Sequence, residues 1–218
     1  MRTPARGFTL VELVVVIAVL GLMMAAVAPD VSAWMRNLRI RNQAESMQSG
    51  LQRARAEAVR RNTPVTFWLV TLTDADVLNN DCTRAASGTS WVVSLDDPDG
   101  KCGTGPSTSE DPRLVVAHNA GDGGSRVAIS GTLPDLSTSA NKVTFDGFGR
   151  IASASVATDL HAIAIAYPAD TASSGDRPLR IEITPGGQIR LCDPAVDSTD
   201  ARHCDYTAPT PAPSGSAS

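Results

Sequence analysis

Cysteine, histidine and isolated carboxylate side chains are the groups of this 218-residue chain with the most chemistry to offer. The four cysteines, Cys82, Cys102, Cys192 and Cys204, lie in loop-like sequence and form no CxxC pair, which suits two disulfides better than a metal site. Zinc held by Cys192, His203 and Cys204 would lack an evident fourth ligand. The histidines, His118, His161 and His203, are scattered, and no GxSxG, HExxH or P-loop spacing accompanies them, so hydrolytic and nucleotide chemistry find no anchor. Asp97-Pro98-Asp99-Gly100 begins like a calcium loop but lacks the later bidentate acid, and it reads as a turn. The expectation is a protein without catalytic residues, metal or cofactor.

Glu12 is the most unusual carboxylate. From Phe8 to Ala28 the sequence is apolar apart from Thr9, Glu12 and Gly21, and roughly 20 such residues span a hydrocarbon core. An ionised acid at the centre of a bilayer costs about 2.5–3.5 kcal/mol on insertion scales, less near an end, where Glu12 stands. A secretory signal has an apolar core of about 7–15 residues with the cleavage site after it. Here the run is longer, and a glycine precedes it. The segment Arg6-Gly7-Phe8-Thr9-Leu10-Val11-Glu12-Leu13 resembles the type IV prepilin signal. That resemblance implies a prepilin peptidase that cuts between Gly7 and Phe8, N-methylation of Phe8, and a helix retained as an anchor. It also implies that Glu12 pairs with the terminal amine of a neighbouring subunit during assembly. The competing reading is an uncleaved anchor whose Glu12 snorkels to the interface. Arg2 and Arg6 before the span and Arg36, Arg39 and Arg41 after it leave the charge rule undecided. Cysteine usage and the prepilin resemblance together place the remainder in the periplasm, with the chain a single-pass protein of the inner membrane.

Beyond the span the pattern changes. Ile40, Ala44, Met47, Leu51, Ala54 and Ala58 recur in alternating steps of four and three, which marks one face of a continuing amphipathic helix. Seven arginines between Arg36 and Arg61 occupy its other faces and read as solvated charge. Pro29 is expected to kink the helix, and Asn62-Thr63-Pro64 to end it. Short β-rich runs follow, separated by Gly, Pro, Asp and Ser: 65–72, 91–95, 114–118, 127–130, 143–146, 162–167, 179–184 and 188–192. Thr184 to Gln188 reads as a hairpin turn between the last two. The fold class is therefore α+β: a long N-terminal helix, membrane-spanning in its first half and amphipathic in its second, packed on an antiparallel sheet or sandwich. The layout is residues 1–7 leader, 8–29 span, 30–62 amphipathic helix, 63–204 β-rich domain and 205–218 disordered tail. We pair Cys82 with Cys102 and Cys192 with Cys204, although four cysteines allow three connectivities and the sequence does not choose among them.

The segments Val143 to Arg150 (VTFDGFGR) and Ile189 to Pro194 (IRLCDP), with Cys204 downstream, resemble the FimT and pseudopilin-H family. The resemblance implies a pilin-like domain and a role as a minor subunit of a type IV pilus or of the type II secretion pseudopilus, with other pilin or pseudopilin subunits as partners. Some FimT proteins bind double-stranded DNA for uptake in natural transformation through a Gly-Arg-x-Arg motif, and the matching residues here are Gly187-Gln188-Ile189-Arg190. The first arginine is missing. Arg190, Arg202, Arg180 and Arg177 remain as DNA-binding candidates, while Asp193, Asp197 and Asp200 repel phosphate. A membrane-anchored structural domain that never assembles is the alternative of another class. The chain has a formal charge of −4, and loss of Arg2 and Arg6 with the leader makes it −6, so any DNA contact must be a local patch.

Overall fold

The computed structural model describes residues 9–206, apart from the side chains of 25–30 and 122–123. Gly7 and Phe8 lie outside that range. The first helix, α1 (Leu10–Arg61), contributes to two compact units divided between Arg36 and Asn37.

In the first unit the helix opens on Thr9, whose hydroxyl accepts a hydrogen bond from the Glu12 amide at 3.2 Å. Thr-x-x-Glu is the sequence of a capping box, and a carboxylate in the first turn suits the positive end of the helix dipole. From Leu10 to Met24 the large apolar side chains are exposed, Leu10 at 79% and Leu22 at 73%. An apolar surface on all sides of a helix has no favourable place in water. Among the described residues no helix is long and apolar enough to cross a membrane. Past residues 25–30, Val31, Trp34 and Met35 are exposed as well. Helical backbone continues through Pro29.

The second unit is built on the part of α1 from Asn37 onward. Ile40, Ala44, Met47, Leu51, Ala54 and Ala58 are all fully buried. At Gly50 a Cβ would lie 2.8 Å from the Trp91 ring and 2.9 Å from that of Phe67, so helix and sheet meet where only a glycine fits. The helix ends in a Schellman motif: Thr63 N–H donates to Ala58 O, Asn62 N–H donates to Val59 O, and Asn62 takes φ 50°.

Two antiparallel sheets pack around this helix face. The first holds β1 (Val65–Thr71), β2 (Thr83–Arg84), β3 (Ser90–Ser94), β4 (Leu114–His118) and, later in the chain, β6 (Lys142–Phe145). The central β1 pairs with β3 on one edge. On the other it pairs with β6 through Val65–Trp68 and with β2 through Val70 and Thr71. The second sheet has the order β5 (Ala128–Thr132), β7 (Ala162–Ala166), β8 (Leu179–Ile183), β9 (Ile189–Cys192). A four-residue helix, α2 (Gly121–Gly124), precedes β5.

One apolar core joins the helix face to inward side chains of both sheets, among them Phe67, Phe145, Ile163 and Ile181. A second cluster, with Trp68, Val70, Val92, Cys82 and Cys102, lies under the loops that follow β1 and β3. Because β1 and β3 are covered on both faces, they read as continuous apolar runs without alternation. The β8–β9 hairpin turns through Gly187 at φ 80°, and Thr184 and Gln188 close it by a backbone hydrogen bond of 3.0 Å. Eight of the nine strands among the described residues coincide within two residues with the runs expected from sequence. The ninth, β2, has two exposed residues and no apolar signal.

Candidate functional site

On adjacent strands, directly paired residues share a face. Glu182 pairs with Arg190, and Arg180 with Cys192, so both arginines, the acid and a cysteine project together from the side of β8 and β9 opposite Ile181 and Ile183. Glu182 is 2% exposed. Its carboxylate lies 3.4 Å from Arg190 and 3.7 Å from Arg180, and it accepts the backbone N–H groups of Asp205 at 2.9 Å and Tyr206 at 2.8 Å. Arg190 also donates to His203 O at 2.6 Å and pairs with Asp205 at 2.9 Å, while Arg180 donates to Tyr206 O at 3.0 Å. A buried charge persists only when paired and hydrogen-bonded, and here the two arginines supply that pairing. Their guanidinium groups fasten the end of the domain. Burial, with Glu182 and Asp205 nearby, pushes the Tyr206 hydroxyl pKa up.

Asp205 and Tyr206 were expected within the tail. Asp205 and Tyr206 are held against β8, and Tyr206 donates through its hydroxyl to Ile183 O at 3.2 Å; residues 207–218 lie outside the described range.

The other two candidate arginines sit elsewhere. Asn37 accepts the Arg177 N–H at 2.8 Å and donates to Gly175 O at 2.9 Å, which fixes the loop before β8 against α1. Arg177 and Arg202 thereby line a cleft of about 310 Å³ with Arg41, Leu179, Leu191 and Asp193. Arg202 is paired with Asp200 at 2.8 Å, and this hydrogen bond to the guanidinium holds the Asp200 carboxyl at about 2; Arg41 is paired with Glu45 at 2.8 Å. Arg180 and Arg190 thus form one group with Glu182, and Arg177 and Arg202 another.

The cysteines form the bonds Cys82–Cys102 and Cys192–Cys204. Glu182, Cys192 and Cys204 bring three ligand-type atoms within 4.8 Å of one another, but both sulfurs belong to a disulfide and are not available as thiolates. His203 lies 2.9 Å from Val196 O. His118 stacks on Trp91 with centroids 5.2 Å apart. His161 is buried between Val156 O and Ile183 O, 2.9 and 3.0 Å from its ring nitrogens. Near it, Asp159 accepts the Thr144 N–H, and burial raises its pKa. Ser46 and His118 stand 3.5 Å apart and line a cleft of about 350 Å³ with Arg39, Gln43 and Asn119, where the Ser46 hydroxyl accepts the Trp91 indole N–H at 3.0 Å. Sequence reading missed the grip of Glu182 on the tail backbone, because the acceptors of main-chain amides leave no mark in composition. The alternation Arg180-x-Glu182 was the available signal.

Residues 43–187 match the family described as Type II transport protein GspH, and residues 2–28 match the prokaryotic N-terminal methylation motif. The chain belongs to the GspH family. The family is structural and not enzymatic. Two crystal structures of the type IV minor pilin FimU from Pseudomonas aeruginosa are similar to this GspH-family protein. One matches at 15% identity and TM-score 0.40 over 69% of this chain and 90% of that one, the other at 14% and 0.41 over 70% and 87%. No curated protein matches the chain. As in type IV pilin-like proteins, a long N-terminal helix leads into antiparallel sheets and a methylation motif covers the start.

Proposed function

We propose that this protein is a minor subunit of a type IV pilus-type filament. A prepilin peptidase cuts between Gly7 and Phe8, Phe8 is methylated, and residues 8–29 anchor the chain in the inner membrane with its β domain in the periplasm. The helix then leaves the bilayer to join a bundle of like helices, and the β domain is displayed outward. The observation that carries this reading is Glu12, a single acid in the first turn of a helix whose apolar side chains are exposed from Leu10 to Met24, within the matched methylation motif. Such a surface is at home in lipid or against other apolar helices. A lone acid within it calls for a partner cation.

Replacing Glu12 with Val tests the reading. Membrane insertion is expected to persist, since the substitution makes the segment more apolar, while recovery of the protein in sheared filaments falls. Unchanged recovery would overturn the assembly role of Glu12.

The family description favours a second system within the same class, a type II secretion pseudopilus. Filaments purified from cells lacking one or the other machine separate the two. A DNA-binding role would fall to Arg177 and Arg202 with Arg41, because Arg180 and Arg190 are engaged by the buried Glu182, whereas the ion pairs of Arg202 and Arg41 are exposed.

A further inference from the structure

The turn between β6 and Ile151 is fastened on every side and leaves one ring uncovered. Asp146 Oδ1 accepts the N–H groups of Phe148 at 2.9 Å and Arg150 at 3.0 Å. Asp146 O accepts from Gly149 N–H, and Asp146 N–H donates to Arg150 O. From α1, Arg55 donates to Gly149 O at 2.8 Å; from the β8–β9 hairpin, Pro185 O accepts the Ile151 N–H at 3.0 Å. Gly149 takes φ 74°, and a Cβ on Gly187 would fall 1.9 Å from Gly149 O, so the hairpin turn presses directly on this one. Phe145 and Ile151 root both ends in the core. At the top of this frame Phe148 is 78% exposed, with the Arg150 guanidinium 5.1 Å from its ring centroid.

A hollow of about 400 Å³ lies on the adjoining outer face of α1, lined by Gln52, Arg55, Ala56, Val59 and Arg60. Val59 is 50% exposed there, and its methyl would lie 3.1 Å from a Cβ on Gly149. A protruding aromatic beside an apolar hollow, both on rigid backbone, has the form of a binding hot spot whose ordering cost has already been met in folding.

We infer that Phe148 and this hollow are the docking surface for another filament subunit, one that presents an apolar pocket rimmed by carboxylates. The charge selects the partner. Arg55, Arg60 and Arg150 surround the surface against Glu57 and Asp146, an excess of one positive charge on a chain of formal charge −4. A second copy docking through the same face would bring like charges together, which is costly. Single-stranded nucleic acid fits less well, because such sites offer successive aromatics along a basic groove, and here one ring stands alone.

This inference rests on the proposed filament role, and the experiment separates the two. p-Benzoylphenylalanine is placed at position 148 of the full-length chain, or at the exposed Ser109 as a control, in cells assembling the filament, and adducts are mapped by mass spectrometry after irradiation. The expected result is one adduct peptide at 148, absent at 109, in another subunit and beside Asp or Glu residues. Phe148→Ser is expected to lower incorporation about tenfold, as truncation of a hot spot does, with thermal stability unchanged because the ring is exposed; Phe148→Trp retains incorporation. Recovery of wild-type chain in filaments without an adduct at 148, an adduct on nucleic acid, or full incorporation of Phe148→Ser overturns the docking surface alone. Absence of the wild-type chain from filaments overturns the filament role, and the docking surface with it.

Discussion

Glu182 decides what the C-terminal arginines can do. A carboxylate 2% exposed, shared by two guanidinium groups and two backbone amides, is a structural fastening. Removing one charged partner from it leaves a buried acid under-compensated. Arg190→Ala is therefore expected to destabilise the domain by roughly 2 kcal/mol, near the value of hydrogen bonds to charged groups, as read by chemical denaturation. Arg202→Ala, whose side chain is 65% exposed and paired with Asp200, is expected to change stability by less than about 0.5 kcal/mol. Equal losses in both would contradict the division of the arginines into two groups. Part of this was legible in sequence, since residues two apart on a strand share a face and Arg180 and Glu182 announce each other. Tyr206 was not, because it stands in a Pro-, Ala-, Ser- and Thr-rich stretch whose composition says tail, and contacts with Glu182, Ile183, Arg180 and His161, distant in sequence, hold it in place.

Among the elements, α1 is the one the sequence describes best. Steps of four and three from Ile40 to Ala58 leave one buried face, and the structure buries each of those six residues. Gly50 lies between two of them, and its meaning appears only in three dimensions. An alanine is worth about 1 kcal/mol over glycine in a helix, yet here its methyl would meet the rings of Trp91 and Phe67 at 2.8 and 2.9 Å. Overpacking of a filled core costs about 1–3 kcal/mol. Gly50→Ala is expected to lower Tm by roughly 2–8 °C, whereas Gly21→Ala, with nothing within 4 Å of its new methyl, is not expected to lower it. A rise in Tm for Gly50→Ala would show that the sheet yields at this contact. The two-residue β2 and four-residue α2 escaped sequence reading for a different reason. Neither is long enough to show a period, and tertiary context alone orders them.

At the scale of the whole chain, two disulfides close loops by joining residues 20 and 12 positions apart. Closures of this kind typically contribute about 2–4 kcal/mol each. Replacing Cys192 and Cys204 together by Ser is expected to lower stability by about that amount and to open new protease cleavage within residues 193–203; replacing Cys82 and Cys102 opens residues 83–101 instead. Cleavage patterns that do not follow the bond removed would argue against independent loops. The pairing was one of three the sequence allowed, and only the fold, which brings Cys192 at the end of β9 beside the returning strap at Cys204, selects it. The same strap governs how the domain answers a mechanical pull. A tension on the chain beyond Tyr206 loads first the two amide contacts on Glu182, which can peel one after the other. Once these part, the slack ends at Cys204, and the force passes through a covalent bond into β9 and the sheet behind it. The strap from Cys204 to Tyr206 is a tether with a short first give and a firm stop.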